Sequence, residues 1–221
     1  MSHAPRVAFV TVGQSPRVDM LPEILGAVHG AVEAVEFGVL DGLDPAEVAA
    51  MAPPPGQASL ATRLRDGSEV VIGKHATGER LQALFDRLDA QGFDAITLLC
   101  TGCFEDVGCR TLLIEAQRVV DAMVDALSPG CRELGVMLPL ARQVQEFHLH
   151  DGARRLIRAT HYSPYSGDRL DAAAAELADC DLLVLHCMGY TEAMRARVAA
   201  RVRRPVLLAR RIVAAALQQI V

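Results

Sequence analysis

Tryptophan is missing from this chain, and Phe, Trp and Tyr together make up only 4% of it. That is too little for the stacked aromatic platforms that hold single-stranded bases. A positive surplus is missing too: 22 Lys and Arg face 27 Asp and Glu, a net charge of −5 at pH 7. Nucleic acid is therefore not expected as a partner. No apolar run approaches the roughly 20 residues that a membrane-spanning helix needs, so no membrane partner is expected. The opening MSHAPR runs straight into a strand-like segment without the pattern of a signal peptide. Cysteine is present, at six residues, but with irregular spacing. This argues for free thiols in a reducing cytoplasm and against a disulfide framework.

What is there is apolar surface in quantity. The 221 residues are 51% hydrophobic and 22% charged, enough to bury a sizeable core as one large domain or two small ones. Short β-branched runs alternate with longer Ala/Leu/Arg/Glu stretches of helical period, the pattern of an α/β protein with parallel strands. Strands are expected near 6–12, 33–37, 94–100, 111–115, 133–138, 155–160, 181–187 and 205–209. Helices are expected near 17–29, 78–91, 116–127, 141–150, 168–178, 190–201 and 210–221. The stretch SLATRLRDGSEVVIG reads as a hairpin turning at Asp66-Gly67, and MAPPPGQAS before it reads as a loop.

The chain also repeats itself. FDAITLLCTGC at 93–103 aligns with CDLLVLHCMGY at 180–190 at an offset of 87. Each carries an Asp, an apolar run, a cysteine, one further residue and a glycine. Upstream, ERLQALFDRLDAQG parallels DRLDAAAAELAD. Downstream, IEAQRVVDAMV parallels LLARRIVAAAL at an offset of 93, pairing Ala116 with Ala209, Arg118 with Arg211 and Val120 with Val213. Three matches in one order point to duplication. Ligands of open parallel sheets bind beyond the carboxyl ends of the strands. Cys100 and Cys187 sit at such ends in equivalent positions, so two facing halves would aim both thiols at one cleft. The segment VGQSPR after the first strand opens onto the same place.

A buried cysteine is most simply packing, and Cys109, Cys131 and Cys180 are read that way. CTGC, from Cys100 to Cys103, has the spacing of a redox pair, but the repeat preserves only Cys100. A metal held by Cys100, Cys103 and Cys109 would lack a second close pair of ligands, and no metal is expected. A third reading uses both thiols. A racemase without a cofactor removes a proton from one face of a carbon and returns one to the other, as a thiolate and a thiol can do. Gly102 and Gly189 would let backbone N–H groups approach a ligand closely, as in an anion nest. Those amides are expected to lower the thiol pKa values and to stabilise an enolate-like carboxylate.

With its two strand–Cys–x–Gly sites, the chain resembles the aspartate/glutamate/hydantoin racemase superfamily. Within it, VAFVTVGQSPR, LRDGSEVVIGK and CMGY resemble the AroM family over essentially the whole length. The resemblance implies two similar flavodoxin-like halves related by a pseudo-twofold, with a cleft between them. They would span 1–113, with 209–221 packing back on this half, and 114–208. It implies Cys100 and Cys187 as the paired catalytic cysteines, no cofactor, and a small carboxylate or amino-acid substrate. Thr101 and Met188 stand where the superfamily usually carries Asn and Thr, and are taken with Gly102 and Gly189 as substrate-binding. The loop after the first strand binds substrate in that superfamily, which brings in Gln14, Ser15 and Arg17. Arg17 is the natural carboxylate clamp, or else an exposed helix residue paired with Asp19. Lys74, ending the hairpin, could reach the cleft. Strand alternation turns His186 away from the thiol face, and His148 and His150 are read as solvated. Decarboxylation or cis–trans isomerisation by one thiol, and ligand binding without turnover, stay open beside racemisation. A homodimer is compatible with the sequence.

Overall fold

The computed structural model describes residues 4–147 and 156–221. In chain order the first part comprises β1 (Arg6–Thr11), α1 (Leu21–Gly26), β2 (Glu33–Gly38), α2 (Pro45–Ala50), β3 (Ser59–Arg63), β4 (Glu69–Gly73), α3 (Lys74–Leu88), β5 (Ala95–Leu98), β6 (Leu112–Glu115) and α4 (Ala116–Leu127). The second comprises β7 (Glu133–Leu138), α5 (Gln143–Glu146), β8 (Leu156–His161), α6 (Leu170–Glu176), β9 (Leu182–Leu185), α7 (Glu192–Val202), β10 (Val206–Leu208) and α8 (Ala209–Leu217).

Two parallel sheets result, ordered β2-β1-β5-β6 and β8-β7-β9-β10. The matching order makes β1 the counterpart of β7, and β5 the counterpart of β9. The fold is thus α/β with two similar halves related by a pseudo-twofold, and the offset of 87 aligns Ala95 of β5 with Leu182 of β9. The antiparallel pair β3-β4 stands apart as a hairpin, with Gly67 at φ 96° in its turn, a conformation that glycine adopts without the Cβ penalty.

The central strands are apolar on both faces because both faces are covered. In β1, Val7 and Phe9 face a core shared with α1, α4, α8 and the second sheet, while Ala8 and Val10 face α3. In β9, Leu182 and Val184 join the shared core while Leu183 and Leu185 face α6 and α7. α8 contacts α1, and its C-cap Gln218 donates to the His29 carbonyl at 2.9 Å.

Every expected strand is present within a few residues, but several helices differ. The helix expected over 17–29 is confined to Leu21–Gly26. Pro22 lies in its first turn, where its missing N–H costs nothing, and residues 17–20 form a turn closed by Met20 N–H to Arg17 O. α3 starts at Lys74, not 78, because β4 runs directly into it and the Thr77 hydroxyl bonds back to Gly73 O. α2 was not expected. Its signal is a capping box in which Asp44 accepts from Glu47 N–H and the Glu47 carboxylate accepts from Asp44 N–H. Of the helix expected over 141–150, only Gln143–Glu146 is helical among the described residues. His148 and His150 lie outside them.

Candidate active site

The ladders of β5 and β9 each extend by one further bond, Leu99 N–H to Val10 O and His186 N–H to Met137 O. Cys100 and Cys187 follow immediately, where each chain leaves its sheet. Both thiols are buried and free, and both line one cavity of about 370 Å³ between the halves. Each sulfur accepts a hydrogen bond from the glycine two residues on, Gly102 N–H at 3.3 Å and Gly189 N–H at 3.4 Å.

Both glycines are closely covered. A Cβ on Gly102 would lie 2.6 Å from Leu60 Cδ2 of the hairpin. A Cβ on Gly189 would lie 2.5 Å from Pro164 Cγ and 2.7 Å from Tyr165 Cζ. Each cysteine turn is thus roofed by a different segment, the β3-β4 hairpin over Cys100 and the loop after β8 over Cys187. Leu60 and Tyr165 both line the cavity.

Around Cys187 the polar contacts form a chain. Arg17 Nη2 donates to the Tyr165 hydroxyl at 3.4 Å. Guanidinium only donates, so the tyrosine accepts there, and its own proton is free to favour the Cys187 thiolate. Arg210 of α8 is buried and donates to Met188 O at 2.7 Å and Gly189 O at 3.1 Å, fixing the turn. Its counterpart at the offset of 93 is Gln117, which lines the cavity and donates to Asp121. Neither Tyr165 nor Arg210 was singled out in the sequence. Arg210 could have been found, since it lies within the aligned ARR of the repeat.

The expected site residues separate into two groups. Arg17, Lys74, Thr101, Gly102 and Met188 line the cavity with the two cysteines. Gln14 and Ser15 do not: Gln14 Oε1 accepts from Arg65 N–H and the Ser15 hydroxyl donates to Asp41, so both tie the loop to its neighbours. Gly189 lies behind the wall. Arg17 is buried, not exposed, at 3% accessibility. Its bidentate fork is already filled: Nε and Nη2 each donate to Asp19 at 2.9 Å, and Nη1 donates to Thr11 at 3.0 Å. A substrate carboxylate finds at most one remaining N–H there. His186 also lines the cavity, with Nε2 3.2 Å from Asp121 and its ring edge-on to Phe147. Cys103 lines the cavity, whereas Cys109 is turned to Thr111 O. Among the described residues, no group of three or more His, Cys, Asp or Glu is placed to hold a metal ion.

Burial overrides the expected activation of the thiols. It pushes Cys100 up to about 12, against the opposing pull of Gly102 N–H, Lys74 and Arg17. Cys187 is also raised by burial, opposed by Gly189 N–H, Arg17, Arg210 and Tyr165. The charge of Cys187 in turn raises Cys100, so the two sulfurs sense each other across the cavity.

The chain belongs to the AroM family, whose model, described as AroM protein, matches residues 7–221. No curated protein matches it. Among solved structures, the aspartate racemase of Picrophilus torridus aligns with TM-score 0.60 and 13% identity, over 98% of this chain and 94% of that one. Unliganded arylmalonate decarboxylase aligns with 0.57 and 16%, over 97% and 93%. The maleate isomerase Iso of Pseudomonas putida S16 aligns with 0.57 and 14%, over 99% and 93%. At these identities the likeness is one of fold. Among the described residues, no helix is long and apolar enough to cross a membrane.

Proposed function

We propose that this protein is a cofactor-independent racemase or epimerase of a small carboxylate or amino acid, with Cys100 and Cys187 as its acid/base pair. The observation that carries this reading is the symmetry of the thiols. Both end equivalent strands, both accept an N–H from the glycine two residues on, and both line the same cavity.

In this mechanism one sulfur, as thiolate, takes the α-proton, forming S–H and leaving the electron pair in an enolate-like carboxylate. The opposite thiol then gives its proton to the other face of the carbon and becomes the thiolate. Positive charge and N–H groups near the carboxylate lower the barrier by stabilising the developing charge. The surroundings divide the resting roles. Burial raises both thiols, Cys100 to about 12; Arg17 favours ionisation of either, Lys74 that of Cys100, and Arg210 and Tyr165 that of Cys187, which we assign as the base. That asymmetry also suits a second reading, loss of carbon dioxide with Cys100 as sole proton donor. A decarboxylase and an isomerase with this fold are compatible with one-thiol chemistry.

The test is turnover. Single enantiomers of a panel of amino acids and chiral carboxylates are incubated with the protein and with a Cys100→Ala/Cys187→Ala double variant, then resolved by chiral chromatography. Appearance of the opposite enantiomer with the wild type alone supports the proposal. Evolution of carbon dioxide or a changed double bond moves it to one-thiol chemistry. Binding without any turnover contradicts both.

A further inference from the structure

The charge around the cavity bears on how many carboxylates a substrate carries. Among the described residues, three formally charged side chains line it: Arg17, Lys74 and Glu105. Arg17 is neutralised by Asp19. Burial alone would raise that carboxyl, but Arg17 outweighs it and holds Asp19 down to about 2. Glu105 is negative and exposed, at the rim. Lys74 forms no ion pair with any described residue, and its charge reaches the Cys100 sulfur.

Local physics does not favour a lysine there. Lys74 is the first residue of a 15-residue helix with no acidic residue in its first turn, where the helix dipole opposes a cation. Beside it, Ser59 pairs in register with Gly73. Ser59 lines the cavity at 4% accessibility, and its hydroxyl has no hydrogen-bond partner. An ammonium, an unpartnered hydroxyl and the positive end of a helix therefore meet at one edge of the cavity. Much of the remaining wall is apolar, with Leu60, Leu99, Leu138, Phe147 and Met188.

We infer that the cavity binds a monocarboxylate, anchored by Lys74 and Ser59, whose remainder carries no second negative charge. An α-amino acid with an uncharged side chain fits, as does its analogue without the amino group. A dicarboxylate would find no second unpaired cation among the described residues that line the cavity, so its second group would lose hydration without a charged partner. The inference shares the cavity with the racemase reading but concerns binding, which needs no turnover.

The test is calorimetric titration of phenylalanine, phenylacetate, aspartate and maleate into the wild type, Lys74→Met and Lys74→Arg, with thermal midpoints confirming that each variant is folded. Lys74→Met removes a cation from a helix N-terminus, so loss of fold is not expected. Phenylalanine, phenylacetate or both should bind the wild type, with aspartate and maleate at least tenfold weaker. Lys74→Met should weaken the bound monocarboxylate tenfold or more, and Lys74→Arg should retain most of it. Dicarboxylates binding as tightly, indifference to Lys74→Met, or no binding of either monocarboxylate overturns the inference. Lys74-dependent binding without racemisation supports it and counts against the racemase alone.

Discussion

The Thr101 hydroxyl donates to the backbone carbonyl of His186 at 3.1 Å, joining the residue after one cysteine to the residue before the other. The bond spans the two halves at the point where both strands end, and it holds the two sulfurs in register across the cavity. It also engages the proton that Thr101 would otherwise offer a substrate, leaving the oxygen as an acceptor.

Thr101→Val should cost about 1 kcal/mol of stability, the net worth of one hydrogen bond. In the proposed mechanism it should lower activity by more than that, because the thiol spacing loosens. Urea unfolding and turnover measured together check this. A variant with unchanged turnover would show that the bond does not set the geometry.

Arg17→Ala should destabilise the fold by about 3 kcal/mol, because it leaves the partly buried Asp19 with only the longer contact to Arg63 at 3.4 Å. The expectation from a surface arginine is the reverse, a loss of binding with little loss of stability. Denaturant midpoints of Arg17→Ala and Arg17→Lys distinguish the two, and an unchanged midpoint would return Arg17 to the role of a free clamp.

Tyr165→Phe should keep the fold and slow turnover about tenfold, the effect of one hydrogen bond to a charged group. The acidic limb of the rate profile, which ionisation of Cys187 as the base would set, should move to higher pH, since the hydroxyl favours the Cys187 thiolate. A profile that does not move would make Tyr165 a packing residue. Gly189→Ala should be more severe, because its Cβ collides with Pro164 and Tyr165.

Stability should fall in alkali. Cys100 is neutral in the fold up to about 12, against an ordinary value near 8.5. Below about 8.5 neither state ionises, and the contribution is complete. Above it the unfolded chain loses its proton first, and stability declines until the folded thiol also ionises. Asp19 acts at the other end, its contribution present above about 4 and lost as pH falls through about 2. Unfolding free energies at pH 8, 9 and 10 should fall more steeply for the wild type than for Cys100→Ala. Equal slopes would mean that the thiol is solvated.

Much of this was legible in the sequence, for physical reasons. Parallel strands buried on both faces read as unbroken apolar runs, so Ala95–Leu98 and Leu182–Leu185 stood out, and duplication placed Cys100 and Cys187 as counterparts. What stayed hidden depends on contacts between distant segments. Nothing near position 165 announces that the tyrosine roofs Gly189, and although Asp19 was named as a partner for Arg17, nothing local says that the pair is buried rather than on the surface. The thiol pKa values were misread because the glycine amides are visible locally, whereas the burial that outweighs them comes from the hairpin and the loop after β8.

The central claim is that two thiols serve opposite faces of one carbon, and enantiomer-resolved α-proton exchange in deuterated water tests it most directly. With a substrate found by the turnover screen, proton NMR follows the wild type, Cys100→Ser and Cys187→Ser. A hydroxyl is far less acidic than a thiol, so each variant should lose racemisation in both directions. Each should still exchange the α-proton of one enantiomer, and the two variants should retain opposite ones. Both variants exchanging the same enantiomer, or one of them racemising at the wild-type rate, would contradict the account.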